Sequence, residues 1–212
     1  MSSTTGSRVA GDELRDELGD ATSVLLLSND KAAEGAACSS LLSVVSPANA
    51  QYLAVTLDST PDDKIDAWRA DVGELPSHAG VISVGERSRS AAAASSPAGP
   101  GSTPVSVDTV ADPSDLTGIA MAVGAYMDAW ADTDRTPVVC FDSITSMLFH
   151  ADQDRVFRFL HSTTGRLREL GAVAHYHLDP TAHDESTVNA FSALFDAVVE
   201  VDGDGFSVRK RR

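Results

Sequence analysis

The stretch VLLLSNDKAAEGAACSSLL, Val24 to Leu42, decides how this chain is read. An apolar run of strand length leads into a short polar turn and then into a run able to open a helix. That order is the outline of a phosphate-binding loop. Its signature, G-x-x-x-x-G-K-[ST], supplies glycine amides to cradle phosphates, a lysine for the β/γ oxygens and a hydroxyl for Mg²⁺. Here Gly35 is followed by Ala36, Ala37 and Cys38, so the Gly-Lys-Ser/Thr part is absent. The outline is kept without its chemistry.

Working outward, predominantly apolar runs of strand length recur at Tyr52–Leu57, Val81–Val84, Val138–Phe141, Val173–Tyr176 and Ala197–Val201. Continuous rather than alternating runs fit strands buried on both faces of a parallel sheet. Helical patterns lie between them. Asp112-Pro113 reads as an N-cap and first turn, with Leu116, Ile119, Val123, Tyr126 and Trp130 marking one face. Val156, Leu160, Thr163, Leu167 and Leu170 mark another, closed by Gly171. Alternating strand and helix predicts a doubly wound α/β fold. Trp68 and Trp130 sit among apolar neighbours at helical spacing and read as core. Residues 1–20 read as a partly disordered N-terminal segment and 21–212 as one domain. The Pro/Gly/Ser-rich stretch 86–104 reads as a flexible low-complexity loop.

A chain of 212 residues is long enough to bury about 70 % of its unfolded surface in one core. Its net charge is −15, from 31 acids against 16 bases, and lysine appears only at Lys31, Lys64 and Lys210. Such a surface resembles that of proteins from salt-accumulating halophiles, where carboxylates hold water and salt screens their repulsion. It should repel nucleic acid and anionic membranes. Cys38 and Cys140 are too few for a disulfide framework. No run approaches the roughly 20 apolar residues of a membrane span, and no signal peptide opens the chain, so a soluble cytoplasmic protein is expected.

A second stretch, PVVCFDSITSMLFH (Pro137–His150), is a buried strand delivering Asp142 at its carboxyl end, with Ser143 opening a turn. That is the form of a Walker B element, whose aspartate orients Mg²⁺ or water, and ligands in open α/β sheets sit at such strand ends. Capping of the next helix by Asp142 is the competing account. With GAVAHYHLD, FDAVVEVDG and FSVRKRR following in order, the chain from Val24 onward resembles the RecA/KaiC-like ATPases of the P-loop NTPase superfamily. It is most similar to degenerate haloarchaeal KaiC-like members without a functional Walker A.

The resemblance implies a three-layer α/β/α sandwich with a mostly parallel central sheet and a vestigial nucleotide site. By position, Asn29–Ser39 stands for the phosphate loop, with Asn29, Lys31, Gly35 and Ser39 as its contacts, and Asp142 and Ser143 stand at the Walker B end. His177 falls near a sensor position. Arg209, Lys210 and Arg211 stand where KaiC-like domains reach the nucleotide of a neighbouring subunit. The resemblance further implies protein partners, signalling or motility components among them, and allows a homo-oligomer.

The departures argue against turnover. Losing the lysine removes a charge stabiliser of a kind commonly worth about 3 kcal/mol or more. After the second strand LAVTLDSTPDD offers Asp58, Asp62 and Asp63 rather than a catalytic glutamate. The expectation is therefore a non-catalytic regulatory module with no resident cofactor. One alternative is a divergent ATP/Mg²⁺-binding ATPase using Lys31 or a subunit-supplied Arg209 or Lys210. Another is a metal-dependent hydrolase built on His175, His177 and Asp179, because His175 and His177 share one face of a strand end. Nothing resembles the nucleophile elbow G-x-S-x-G, which argues against Ser143 as a nucleophile. For Cys38, after a candidate helix start, either a lowered thiol pKa or simple burial is open.

Overall fold

Ser23–Leu27 forms β1, buried along its whole length. The computed structural model describes residues 13–73, 76, 78–85, 105–203 and 205–211. The segment 86–104 and residues 1–12 lie outside them. The other strands are Ala50–Thr56 (β2), His78–Val84 (β3), Val105–Val110 (β4), Thr136–Asp142 (β5), Val173–Leu178 (β6), Ala197–Asp202 (β7) and Gly205–Lys210 (β8). They form an eight-stranded sheet in the order β4-β3-β2-β5-β6-β1-β7-β8. Every neighbouring pair is parallel except β7 and β8, which are antiparallel.

Among the described residues the sheet is flanked by Lys31–Leu42 (α1), Pro61–Val72 (α2), Leu116–Trp130 (α3), Ile144–His150 (α4), Gln153–Glu169 (α5) and Glu185–Ser192 (α6). Strand alternation sends Val139 and Phe141 of β5 toward α3–α6, and Val138 and Cys140 toward α1 and α2. Helical residues 13–18 add Leu14 and Leu18 to the α1 side, against Val24 and Leu26. The result is the expected α/β/α sandwich, in which the central strands are buried on both faces. No helix among the described residues is long and apolar enough to cross a membrane.

Three local differences from the sequence reading have plain causes. The third helix starts at Leu116 rather than after Asp112, because the Asp112 carboxylate accepts from the Ser114 amide (2.8 Å) and hydroxyl (2.7 Å). Asp115 then caps the helix through the Gly118 amide at 2.8 Å. Strand β4 was not anticipated, since VSVDTV alternates and lies at the sheet edge. It is tied down by Tyr126, whose hydroxyl donates to Asp108 (2.7 Å), and whose ring crosses Gly80 so closely that a Cβ there would lie 2.2 Å from it. Leu170, read with the apolar face of that helix, is 42 % exposed, because α5 ends at Glu169 and Gly171 turns the chain at φ +70°.

The amino ends of β1 and β7 are joined by Asp196. Its carboxylate accepts from the amides and hydroxyls of Thr22 and Ser23 at 2.9–3.2 Å and pairs with Arg168 at 2.6 Å. Burial alone would raise this carboxyl, but the Ser23 and Thr22 hydrogen bonds and the Arg168 charge outweigh it and hold it below the usual carboxylate range. A lowered folded pKa means stability present above the unfolded value near 3.9 and lost as pH falls through the folded one. Asp196→Ala is expected to cost about 1–3 kcal/mol in urea unfolding at neutral pH. Its deficit relative to the parent chain should shrink as the carboxylate is protonated.

Candidate functional site

The connection from β1 to α1 is three residues, Ser28, Asn29 and Asp30. Four residues stand between the glycines of the phosphate-loop signature, so this turn is too short to wrap a phosphate chain in the same way. Asp30 is the N-cap of α1, and its carboxylate accepts from the Ala32 (2.9 Å) and Ala33 (3.2 Å) amides. Those amides are the groups a helix N-terminus would offer a bound anion. Here the chain supplies its own anion. Most of the span read as a phosphate loop is helix. Gly35 lies inside α1, and the Ser39 hydroxyl donates to the Gly35 carbonyl at 2.8 Å. Lys31 is exposed and pairs with Glu34 at 3.0 Å.

Asp142 ends β5 and is 7 % exposed. It is held in an ion pair by Lys64 from the start of α2, and Ser59 Oγ lies 3.5 Å from the same oxygen. Burial works against the Lys64 ammonium, but Cys140 and Asp142 outweigh it and keep the group charged. The capping role falls to Ser143, which accepts from the Ser146 amide at 3.2 Å and donates to Asp58 at 3.1 Å. The Asp142–Ser143 peptide is cis. Of the other carboxylates after β2, Asp63 closes a capping box with Thr60.

Beneath Asp142, between the sheet and α1, four side chains converge. Cys38 Sγ lies 3.9 Å from Cys140 Sγ and 3.2 Å from His175 Nε2, and Cys140 Sγ lies 3.5 Å from His177 Nε2. His175 and His177 are 2 % and 3 % exposed. His177 Nδ1 lies 2.7 Å from Glu34 Oε1, so Glu34 is shared between His177 and Lys31. Burial alone would raise Glu34, but His177 and Lys31 outweigh it and hold the carboxyl at about 2. Burial alone would lower His177, yet Cys140 and Glu34 push it to about 10. The sulfur–sulfur hydrogen bond lowers Cys140 and raises the half-buried Cys38 thiol. The lowered thiol is therefore Cys140 rather than Cys38.

His175 and His177 do come together, but without Asp179, which caps the 3₁₀ turn Pro180–Ala182 by accepting from Thr181 N at 2.8 Å. The basic tail lies elsewhere. Strand β8 runs back along β7, pairing Lys210 with Ala197 at the amino end of the parallel strands, away from Asp142. Arg209 pairs with Glu200 at 2.6 Å, and Arg211 donates to the Ala193 carbonyl at 2.7 Å. Arg209 and Asn29 share one open cleft of about 750 Å³ beside α6, lined also by Glu185, Glu200 and Asp202. The sequence reading missed Glu34, Lys64 and Cys140. Glu34 and Cys38 are four apart on a helix, and Cys140 and Asp142 two apart on a strand, so each pair shares a face. The pairing of those two faces is tertiary.

Residues 21–201 match the family described as "Family of unknown function (DUF7504)". No curated protein matches the sequence. Among solved structures, the chain is similar to three proteins of Pyrococcus horikoshii. Uncharacterized protein PH0321, in complex with an unknown peptide, has 12 % identity and a TM-score of 0.58 over 93 % of this chain and 86 % of that one. PH0250 has 10 % identity and a TM-score of 0.59 over 94 % and 91 %. The KaiC-like protein PH0186 has 12 % identity and a TM-score of 0.54 over 90 % and 79 %. At these identities the likeness is one of fold.

The Lys64–Asp142 pair yields a test by double-mutant cycle. Lys64→Met leaves a buried carboxylate without its cation and is expected to cost about 3–5 kcal/mol in denaturant unfolding. Adding Asp142→Leu should restore much of that loss, because the double variant leaves no buried charge unpaired.

Proposed function

We propose that this chain, which belongs to the DUF7504 family of unknown function, is a RecA/KaiC-like domain that does not turn over ATP and acts as a regulatory or signalling module through protein–protein contacts. The observation that carries the reading is the Asp30 carboxylate on the Ala32 and Ala33 amides. A phosphate arriving there would have to displace a covalently tethered anion from the positive end of the α1 dipole, and would then meet its charge. Two further observations support it. No lysine directly follows Gly35, and Asp142, which stands at the position of a Walker B aspartate in the resemblance, already holds Lys64. The family match and the fold likeness to KaiC-like PH0186 support a related domain; the regulatory role, protein partners and a halophilic setting are our extension.

Calorimetric titration of Mg²⁺-ATP into the full chain in molar KCl is expected to give no saturable heat up to millimolar nucleotide, and no hydrolysis above background. Saturable binding that Asp142→Asn abolishes would overturn the reading. It would favour an ATPase instead, most of all if light scattering found a ring able to present Arg209 or Lys210 across subunits.

A further inference from the structure

Both cysteines of the chain and two of its six histidines meet at one buried point. They come from three elements: Cys38 from α1, Cys140 from β5, and His175 and His177 from β6. One ligand atom from each lies within 4.8 Å of all the others. We propose that Cys38, Cys140, His175 and His177 form a tetrahedral Cys₂His₂ site for a zinc ion. This proposal stands independently of the ATP reading.

The distances carry it. A tetrahedral ion with Zn–S of about 2.3 Å and Zn–N of about 2.0–2.1 Å sets sulfur–sulfur at about 3.8 Å and sulfur–nitrogen at about 3.6 Å. The sulfurs here are 3.9 Å apart, and the two sulfur–Nε2 contacts are 3.2 and 3.5 Å. A mixed set of two thiolates and two imidazoles selects zinc over magnesium or calcium, which take oxygen ligands. The four ligands fill the coordination shell, as in structural rather than catalytic zinc sites.

The surrounding groups fit the same assignment. Glu34 takes His177 Nδ1, which turns Nε2 toward Cys140, and a carboxylate on the outer nitrogen is the usual partner of a metal-bound histidine. Lys31 holds Glu34 in turn. A competing set, Glu34, Asp142 and His177, also lies within 4.8 Å, but its carboxylates are already engaged by Lys31 and Lys64. Because the cysteines bind as thiolates, uptake of the ion releases protons and tightens as pH rises. The ion would tie α1, the helix after the first strand, to β5 and β6.

The test uses the full chain in molar KCl. After growth with added zinc, elemental analysis is expected to find one zinc per chain. Titration of the metal-stripped chain with Co²⁺ is expected to raise a thiolate-to-cobalt charge-transfer band and the visible absorption of a tetrahedral ion, saturating at one equivalent. Cys38→Ser should remove most of that band. Cys140 is fully buried, so changing it disturbs the core, and Glu34→Gln provides the second arm instead. It should keep the band while weakening Co²⁺ about 10–100-fold, as loss of an outer-shell partner does. Three results would overturn the site: no zinc together with no thiolate band; cobalt bound without such a band, which would move the metal to the carboxylates; or a Cys38–Cys140 disulfide in the protein as isolated, seen as the loss of two hydrogens by mass.

Discussion

A carboxylate at the end of a strand buried on both faces must have a cation, and in this fold Lys64 supplies it to Asp142. That requirement shapes the surroundings. The lysine comes from α2, so α2 must start beside β5, and the tight Thr60-Pro61-Asp63 capping box fixes where it starts. Trp68, one turn further along α2, is fully buried against Tyr52. The ion pair is thereby anchored on an apolar contact that does not depend on salt. In a chain of net charge −15, where exposed pairs are weak and screened, such a buried pair is the kind that persists.

The same economy of charge extends across the α1 side of the sheet. Glu34, His177, Lys31 and Asp30 are satisfied by one another or by backbone amides, so little polar capacity is left pointing at a ligand in the position of a nucleotide. A phosphate loop works by the opposite arrangement, in which unsatisfied amides and a free lysine await an anion. A fold likeness to KaiC-like PH0186 carries no such arrangement with it, because the fold depends on strand burial, whereas phosphate binding depends on a few residues in one turn.

Much of the architecture was legible in the sequence because central parallel strands are buried on both faces and predominantly apolar. The run at Val24, the one at Val138 and the one at Val173 stand out for that reason, and β1, β5 and β6 lie side by side in the sheet. Strand β4 escaped because an edge strand keeps one face in water and its alternation is short. The start of α3 escaped because two aspartates three residues apart both suit a cap, and only the Ser114 contacts show which one is spent on a turn.

The chain by itself determined that its strands would be buried, that the Gly-Lys-Ser/Thr element would be missing, and that His175 and His177 would share a face. Only the tertiary structure decided what that face meets. Periodicity places a side chain on one side of its own element, but it carries no information about which other element packs there. Cys38 and Cys140 are 102 residues apart, and their sulfurs meet because the sheet order sets β5 next to β6 and lays α1 across both. The separation of the basic tail from Asp142 has the same origin: β8 turns back antiparallel along β7 and carries Lys210 to the other end of the sheet.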